Sequence, residues 1–231
     1  MMRVSLNEIQ VMCRKAFEGM GFAPGDCEDA ADMVGWLQRQ GLDGIGALEK
    51  ALDYLQCEAD RPFAVRYEDS SLLVIDVGGQ SVLRCAATAV ELALGKSLPG
   101  GQSVLRIHHC HNRLLLLGYL CRVAEQGLDV EARWGDARQV HTASFLAGNS
   151  HPELHVEVLN RTANVEQSIS VLFTLPKTPA REQRRPQVSL EQSFTVSEST
   201  WLRFKQMAEH VLVESSETSR RHGAGGGSDA D

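Results

Sequence analysis

Leu72-Leu-Val-Ile-Asp-Val-Gly-Gly-Gln-Ser-Val-Leu-Arg-Cys-Ala-Ala-Thr-Ala-Val-Glu-Leu-Ala-Leu94 turns an apolar run into an Ala- and Leu-rich run across two adjacent glycines. The first part, 72–77, is nearly continuously apolar, which suits a strand covered on both faces. The second part, 82–94, has helical composition. The same unit then recurs. Residues 103–108 read as a strand, 114–125 as a helix and 130–134 as another strand. A β-α-β-α-β succession argues for right-handed crossovers and a parallel core.

Working outward, the pattern changes on both sides. Ser5-Leu-Asn-Glu8 is a capping box that opens a helix with Ile9, Cys13, Ala16, Phe17 and Met20 at helical spacing. Asp26 is expected to cap a second helix that buries Ala30, Met33, Val34 and Leu37, and 47–55 reads as a third. Residues 63–67 are strand-like. Beyond Trp134 the alternation stops. Residues 154–159 and 169–175 look like a strand pair, 176–186 like a proline-marked connection, and 188–196 like a strand. Ser197 then caps a last helix, over about 199–213. The expected fold is α/β, with an N-terminal helical subdomain (1–58), a short, mostly parallel βαβ sheet (59–136), and C-terminal antiparallel strands plus one helix (137–217). A Gly-rich acidic tail (218–231) follows. The heptapeptide Gly-Gly-Gln-Ser-Val-Leu-Arg occurs at 78–84 and again at 100–106, once before a helix and once before a strand. Two copies are too few for a repeat architecture, and they read as two glycine turns that match.

Bulk properties narrow the class. The 231 residues carry 43% hydrophobic and 23% charged side chains, ordinary for a globular protein. A net charge of −7 argues against nucleic acid as a partner, since phosphate binding needs surplus Lys and Arg. The basic run at 181–185 reads as a solvated linker. Six cysteines without a C-x-x-C pair fit a reducing, cytoplasmic setting. No signal peptide and no membrane span are expected, because the longest strongly apolar run is 114–117.

Three segments in order carry a resemblance. The first holds Arg39-Gln-Gly, Gly44-Ile-Gly46 and Tyr54. The second is the strand–Gly78-Gly79–helix unit. The third runs from the strand 103–108 through His111-Asn-Arg and Gly118-Tyr119 to Gly127-Leu128. Together they resemble the N-terminal portion of the type-2 malate/L-lactate dehydrogenases. That resemblance implies hydride transfer with a nicotinamide cofactor, and a histidine in a Gly-x-x-Ser-His-Gly pattern that moves the proton beside a nearby Arg. Here Gly44 and Ile45 stand at the Ser and His positions, and Glu49 lies near the expected Arg. Isoleucine cannot transfer a proton. There is no G-x-G-x-x-G either, so no cofactor is expected. The whole chain is more similar to a small bacterial family of unknown function whose members begin like Val4-Ser-Leu-Asn-Glu-Ile9. They end in a Ser-Arg-x-x-Gly-Ala-Gly-x-Gly-x-x-Asp-x-Asp pattern.

Several residues are candidate ligand contacts. His108-His-Cys-His111 is the densest group of donors, at the end of a strand where α/β sheets place ligands. Adjacent strand residues point to opposite faces, so no metal site is expected from it. His151 and His155 would lie about 13 Å apart along a strand and cannot share a metal. A thiolate at Cys110 between His109 and His111 is a minor option. Gly78-Gly79 before a helix could offer free N–H groups to an anion, with Arg84 nearby. Asp43, His108, His111, Asn112 and Arg113 are the other core candidates. In the tail, Arg220, Gly223 and Gly225 could wrap a ligand or a neighbouring subunit, and Asp229 and Asp231 could pair with Arg113. Composition alone equally allows a disordered tail.

The leading expectation is a small-molecule-binding or accessory metabolic protein on a dehydrogenase-like scaffold, its partners a small metabolite and a second copy in a homodimer. An enzyme with chemistry relocated to His108–Arg113 is the alternative. An obligate subunit whose tail completes a partner's site is a further one.

Overall fold

The computed structural model describes residues 1–159, 167–176 and 193–210. Strand β1 (Met2–Ser5) leads into α1 (Leu6–Gly19), α2 (Pro24–Arg39) and α3 (Gly44–Leu55). Then come β2 (Ala64–Glu68), β3 (Leu72–Asp76), α4 (Ala86–Gly100), β4 (Gln102–His108), α5 (Leu117–Glu125), β5 (Asp129–Gly135) and β6 (Gln139–Phe145). The chain ends its described part with β7 (Glu153–Val158), β8 (Ile169–Thr174), β9 (Ser193–Val196) and α6 (Glu198–Glu209). The basic run at 181–185 and the tail with Arg220, Gly223, Gly225, Asp229 and Asp231 lie outside the described residues.

The N-terminal helices form for the reasons the sequence shows. The Ser5 side chain accepts from the Glu8 N–H, and the Glu8 carboxylate accepts from the Ser5 N–H at 2.7 Å, completing the capping box of α1. Ile9, Cys13, Ala16 and Phe17 form its buried face. For α2 the expected cap is corrected. Ala23 is the N-cap and Pro24 begins the helix, so Asp26 sits inside the first turn, where its charge faces the positive end of the helix. Ser197 caps α6, accepting from the Thr200 N–H at 3.2 Å.

The α/β class holds, but the sheet is mostly antiparallel, which corrects the expected parallel core. Its order is β2-β3-β4-β8-β5-β6-β7, and only β3 and β4 run parallel. Strand β8 enters between β4 and β5 and pairs antiparallel with both. It therefore does not pair with β7, which instead pairs with β6. A separate two-stranded sheet joins β1 to β9. The pattern of burial explains the arrangement. Leu73 and Ile75, Leu105 and Ile107, Val171 and Phe173, Val130 and Ala132 are buried, while Val74, Arg106, Leu172 and Glu131 on the opposite face are half-buried or exposed. A sheet covered on one face is the antiparallel habit. One continuous apolar core runs from Val4 to Phe204 and draws on the N-terminal helices, the central sheet and the C-terminal strands.

Helix contacts are close where glycine allows it. A Cβ placed on Gly118 of α5 would lie 2.6 Å from the Met33 Cα of α2. Backbone cannot yield there as a flexible side chain could. Gly118→Ala is expected to cost about 1–3 kcal/mol through overpacking, read as a lowered urea midpoint at unchanged slope.

Candidate functional site

The site is built where α3 starts and where β4 ends. Asp43 is the N-cap of α3, with φ 48° and ψ 58°, and its carboxylate accepts from the Gly46 N–H at 3.1 Å. A Cβ on Gly46 would fall 2.1 Å from the Asp43 carboxylate, so glycine is what lets that cap close. Gly44 similarly sits against the Val34 carbonyl of α2, fixing the first turn of α3 on its neighbour. Ile45 is buried in the core, and its N–H donates to Gln38 Oε1 at 3.1 Å. Glu49, near the position where the dehydrogenase pattern has Arg, faces Arg203 of α6 at 3.9 Å. The proton-transfer position of that pattern is thus an apolar packing position in this chain.

After β4 the backbone twists sharply. Among the described residues three non-glycine residues have positive φ: Asp43 (48°), His109 (51°) and Asn112 (57°). Two of them line one cavity of about 370 Å³, and the third lies three residues away on the same loop. Non-glycine residues in this region persist only where the surroundings enforce them, and they gather at functional sites. The cavity has apolar walls from Leu42, Ala47, Leu114, Leu115 and Trp134, and polar groups from Asp43, Lys50, Asn112 and Arg113. Trp134 is braced by His141, its ring stacked at 5.3 Å and 10°. The Asn112 Oδ1 and Arg113 Nη1 are both buried and have no hydrogen-bond partner among the described residues. A buried donor and a buried acceptor left unmet on consecutive residues are costly, and most such groups in folded proteins are satisfied. Asp136, on the turn after β5, is held below the usual carboxylate range by the Arg138 and Gln139 N–H groups, with smaller contributions from His141 and Arg113.

The other expected contacts go elsewhere. The Gly78-Gly79 turn has positive φ at both glycines, 61° and 90°, as the sequence suggested. Its anion-binding role is corrected, because every N–H from Gly78 to Val82 has an acceptor in the protein. These acceptors are Asp76 Oδ1, His109 O, Val77 O, Glu58 Oε1 and His111 O. Arg84 is not available for an anion either. It pairs with Glu58 at 3.4 Å and lies over the Phe22 ring at 3.9 Å. His108 and His111 do not line the cavity. His108 is opposite Asp76 across the parallel pair, and the His111 ring stacks on Tyr54 at 5.6 Å and 18°. His109 Nδ1 lies 2.9 Å from Asp76 Oδ1. His109, the Gly78 N–H and Arg66 together hold the Asp76 carboxyl well below its ordinary value. Among the described residues no three His, Cys, Asp or Glu side chains converge as a metal site. Cys110 is fully buried, its thiol directed at the Ile107 carbonyl at 3.5 Å, which removes it as an accessible nucleophile.

The depressed Asp76 pKa has a pH consequence. A carboxylate with a lowered folded-state pKa contributes stability that is present above its unfolded value, about 3.9, and lost as pH falls toward the folded value. Asp76→Asn is therefore expected to flatten the loss of stability between about pH 5 and pH 2, measured by denaturant unfolding across that range.

Of the expected contacts, Asp43, Asn112 and Arg113 meet in one cavity. Lys50 and Trp134 complete it and were not foreseen. Lys50 lies two helical turns after Asp43, a spacing that places both on one side of α3. Trp134 closes the alternating burial of β5, which the sequence displays as Val130, Ala132 and Trp134 between polar neighbours.

Comparison with known proteins bears on the fold. A family model described as a protein of unknown function (DUF3726) matches residues 4–90. The chain is similar to that family over its N-terminal helices and first strands. Among solved structures, a sulfolactate dehydrogenase from Methanocaldococcus jannaschii aligns at TM-score 0.62 and 10% identity, over 90% of this chain and 97% of that one. A candidate malate/lactate dehydrogenase from E. coli aligns at TM-score 0.62 and 11% identity, over 93% and 97%. A malate dehydrogenase from Pyrococcus horikoshii aligns at TM-score 0.54 and 15% identity over 67% of this chain, which spans 50% of that structure's length. Identities this low establish a shared dehydrogenase-like fold and nothing further. A comparison with curated proteins finds no match. Both sequence resemblances hold, the one to an unknown-function family and the distant one to malate/lactate dehydrogenases. No helix among the described residues is long and apolar enough to cross a membrane.

Proposed function

We propose that this chain is a small-molecule-binding protein on a dehydrogenase-like scaffold. It holds a small organic acid in the cavity between α3 and the loop after β4. The observation that carries the reading is the adjacent pair of unmet groups, Asn112 Oδ1 and Arg113 Nη1. A carboxylate accepts from the guanidinium, and a hydroxyl or amino group on the neighbouring carbon donates to the amide oxygen. Lys50 adds a second positive charge at the same cavity, and Trp134 with the leucines covers the carbon skeleton. The solved structures of similar fold include sulfolactate and malate dehydrogenases, and the acids in those names carry a carboxylate beside a hydroxyl. Ile45, buried where the dehydrogenase pattern has its histidine, leaves binding without that proton transfer.

The test is a thermal-shift series with malate, lactate, sulfolactate and the matching amino acids, with NAD and NADP absorbance followed in parallel. A ligand at about ten times its Kd should raise Tm by about 3–6 °C. Reduction of NAD or NADP would refute the binder reading in favour of an enzyme. The absence of any shift, or a shift that survives removal of Arg113, would refute the site.

A further inference from the structure

Strand β7 is the last strand of the seven-stranded sheet, so its outer backbone edge has no strand partner among the described residues. An open edge offers a row of N–H and C=O groups for pairing with another chain. Natural edges are usually blunted, and the other end of this sheet is. Strand β2 carries a register shift between Val65 and Tyr67, and Arg66 at that irregularity is tied to Asp76 at 2.8 Å. Strand β7 has no such device. It runs in unbroken register against β6 through six pairs, from Gln139 opposite Val158 to Ser144 opposite Glu153.

The side chains of β7 alternate cleanly. Leu154, Val156 and Val158 are 41%, 56% and 68% exposed, an apolar stripe at the edge of the sheet. Glu153, His155 and Glu157 lie on the other face. The stripe continues a row already in the core, because Val156 is opposite His141 and His141 is opposite Trp134. The apolar face therefore reaches the edge strand without a covering helix among the described residues.

We propose that β7 pairs antiparallel with β7 of a second copy of this chain, with Val156 opposite Val156 on the two-fold axis. Charge and face both select this register. A one-residue slip sets apolar residues against polar ones. A two-residue slip toward the N-terminus sets His155 against His155 and Glu153 against Glu157, two unfavourable carboxylate pairs. A two-residue slip toward the C-terminus sets Glu157 against Glu157. The proposed register instead gives two His155–Glu157 pairs on one face, and two Leu154–Val158 pairs around the central valines on the other. Directly opposed pairs of these kinds stabilise sheets, and like charges do the reverse. The contact is isologous, as a closed dimer requires, and it joins two seven-stranded sheets into one. It does not depend on the ligand proposed above.

Sedimentation velocity on the full chain across a concentration series reads the outcome. A reversible dimer is expected. Val156→Lys places two ammonium groups on the axis and should raise the dimer Kd by roughly tenfold or more. His155→Glu should weaken the dimer similarly by opposing Glu157. The double variant His155→Glu with Glu157→His exchanges the pair and should restore the parent Kd. All of these positions are exposed, so unchanged thermal melting confirms that the folds are intact. A chain that stays monomeric throughout overturns the proposal. A dimer indifferent to Val156→Lys and to His155→Glu also overturns it.

Discussion

Replacing Arg113 with alanine is expected to weaken binding of the organic acid by about 10–150-fold, the range of a charge-assisted hydrogen bond worth about 1.5–3 kcal/mol. The same substitution should leave the free protein as stable as before, or make it slightly more stable. Nη1 of Arg113 is buried and meets no acceptor among the described residues, so removing it relieves an unmet donor instead of breaking a bond. That opposite movement of affinity and stability separates a binding residue from a structural one. Arg113→Lys keeps the charge but loses the planar fork, and should recover only part of the affinity. Asn112→Gly gives a second reading of the same trade. It removes the penalty of a side chain at φ 57° and removes the acceptor, so stability should rise while affinity falls. Isothermal titration paired with urea unfolding measures both quantities. If Arg113→Ala costs more than about 2 kcal/mol of stability, the guanidinium is holding the fold and the site assignment fails.

How much of this was legible in the sequence depended on whether the signal was local. The capping box at Ser5 and Glu8, the buried face of α1 and the Ser197 cap were all readable, because each is set within one helical turn. The strands over 72–77 and 103–108 were also found. Their partners were not, because pairing is decided by segments far apart in the chain. Strand β8 lies between β4 and β5, and no local pattern identifies it as their shared neighbour. One available signal pointed the right way. In β5 the order Val130, Glu131, Ala132, Arg133, Trp134 alternates apolar with charged, the mark of a strand wetted on one face. The continuous run at Leu72–Asp76 suggested two covered faces, yet Leu72 and Val74 are only half-buried. Strand β6 carries no clear sequence signal, because Gln139, His141, Thr142 and Ser144 dilute its alternation. At the site, Asp43, Asn112 and Arg113 stand out in the sequence only by lying in the segments that resemble the dehydrogenase pattern. That they share one cavity follows from the packing of α3 against the loop after β4, which no local pattern records.

The largest stability effect is expected at Glu58. Its carboxylate lies 3.4 Å from the Arg84 guanidinium, with side chains only 9% and 4% exposed, and it also accepts the Ser81 N–H at 3.0 Å. Glu58→Ala takes from the buried Arg84 charge its paired carboxylate and leaves it the Phe22 ring at 3.9 Å, the Met20 carbonyl at 3.3 Å and the charge of Asp26. Removing one partner of a buried ion pair typically costs about 3–5 kcal/mol. For a chain of this size that corresponds to a fall in Tm of roughly 6–20 °C. Glu58→Gln keeps an acceptor for Ser81 and should cost less. Replacing both partners by apolar residues of similar volume should recover much of the loss, since no charge is then left alone. The pair also explains the quiet behaviour of the glycine turn. It ties 78–84 to the segment that follows α3, and the Val82 N–H then holds the His111 carbonyl at 3.1 Å, one residue before the site's Asn112. A destabilised Glu58→Ala protein should therefore bind its ligand normally while folded, with the loss confined to the fraction unfolded. A cost below about 1 kcal/mol would mean that the pair behaves as a solvated surface contact, and this account of the turn would fall with it.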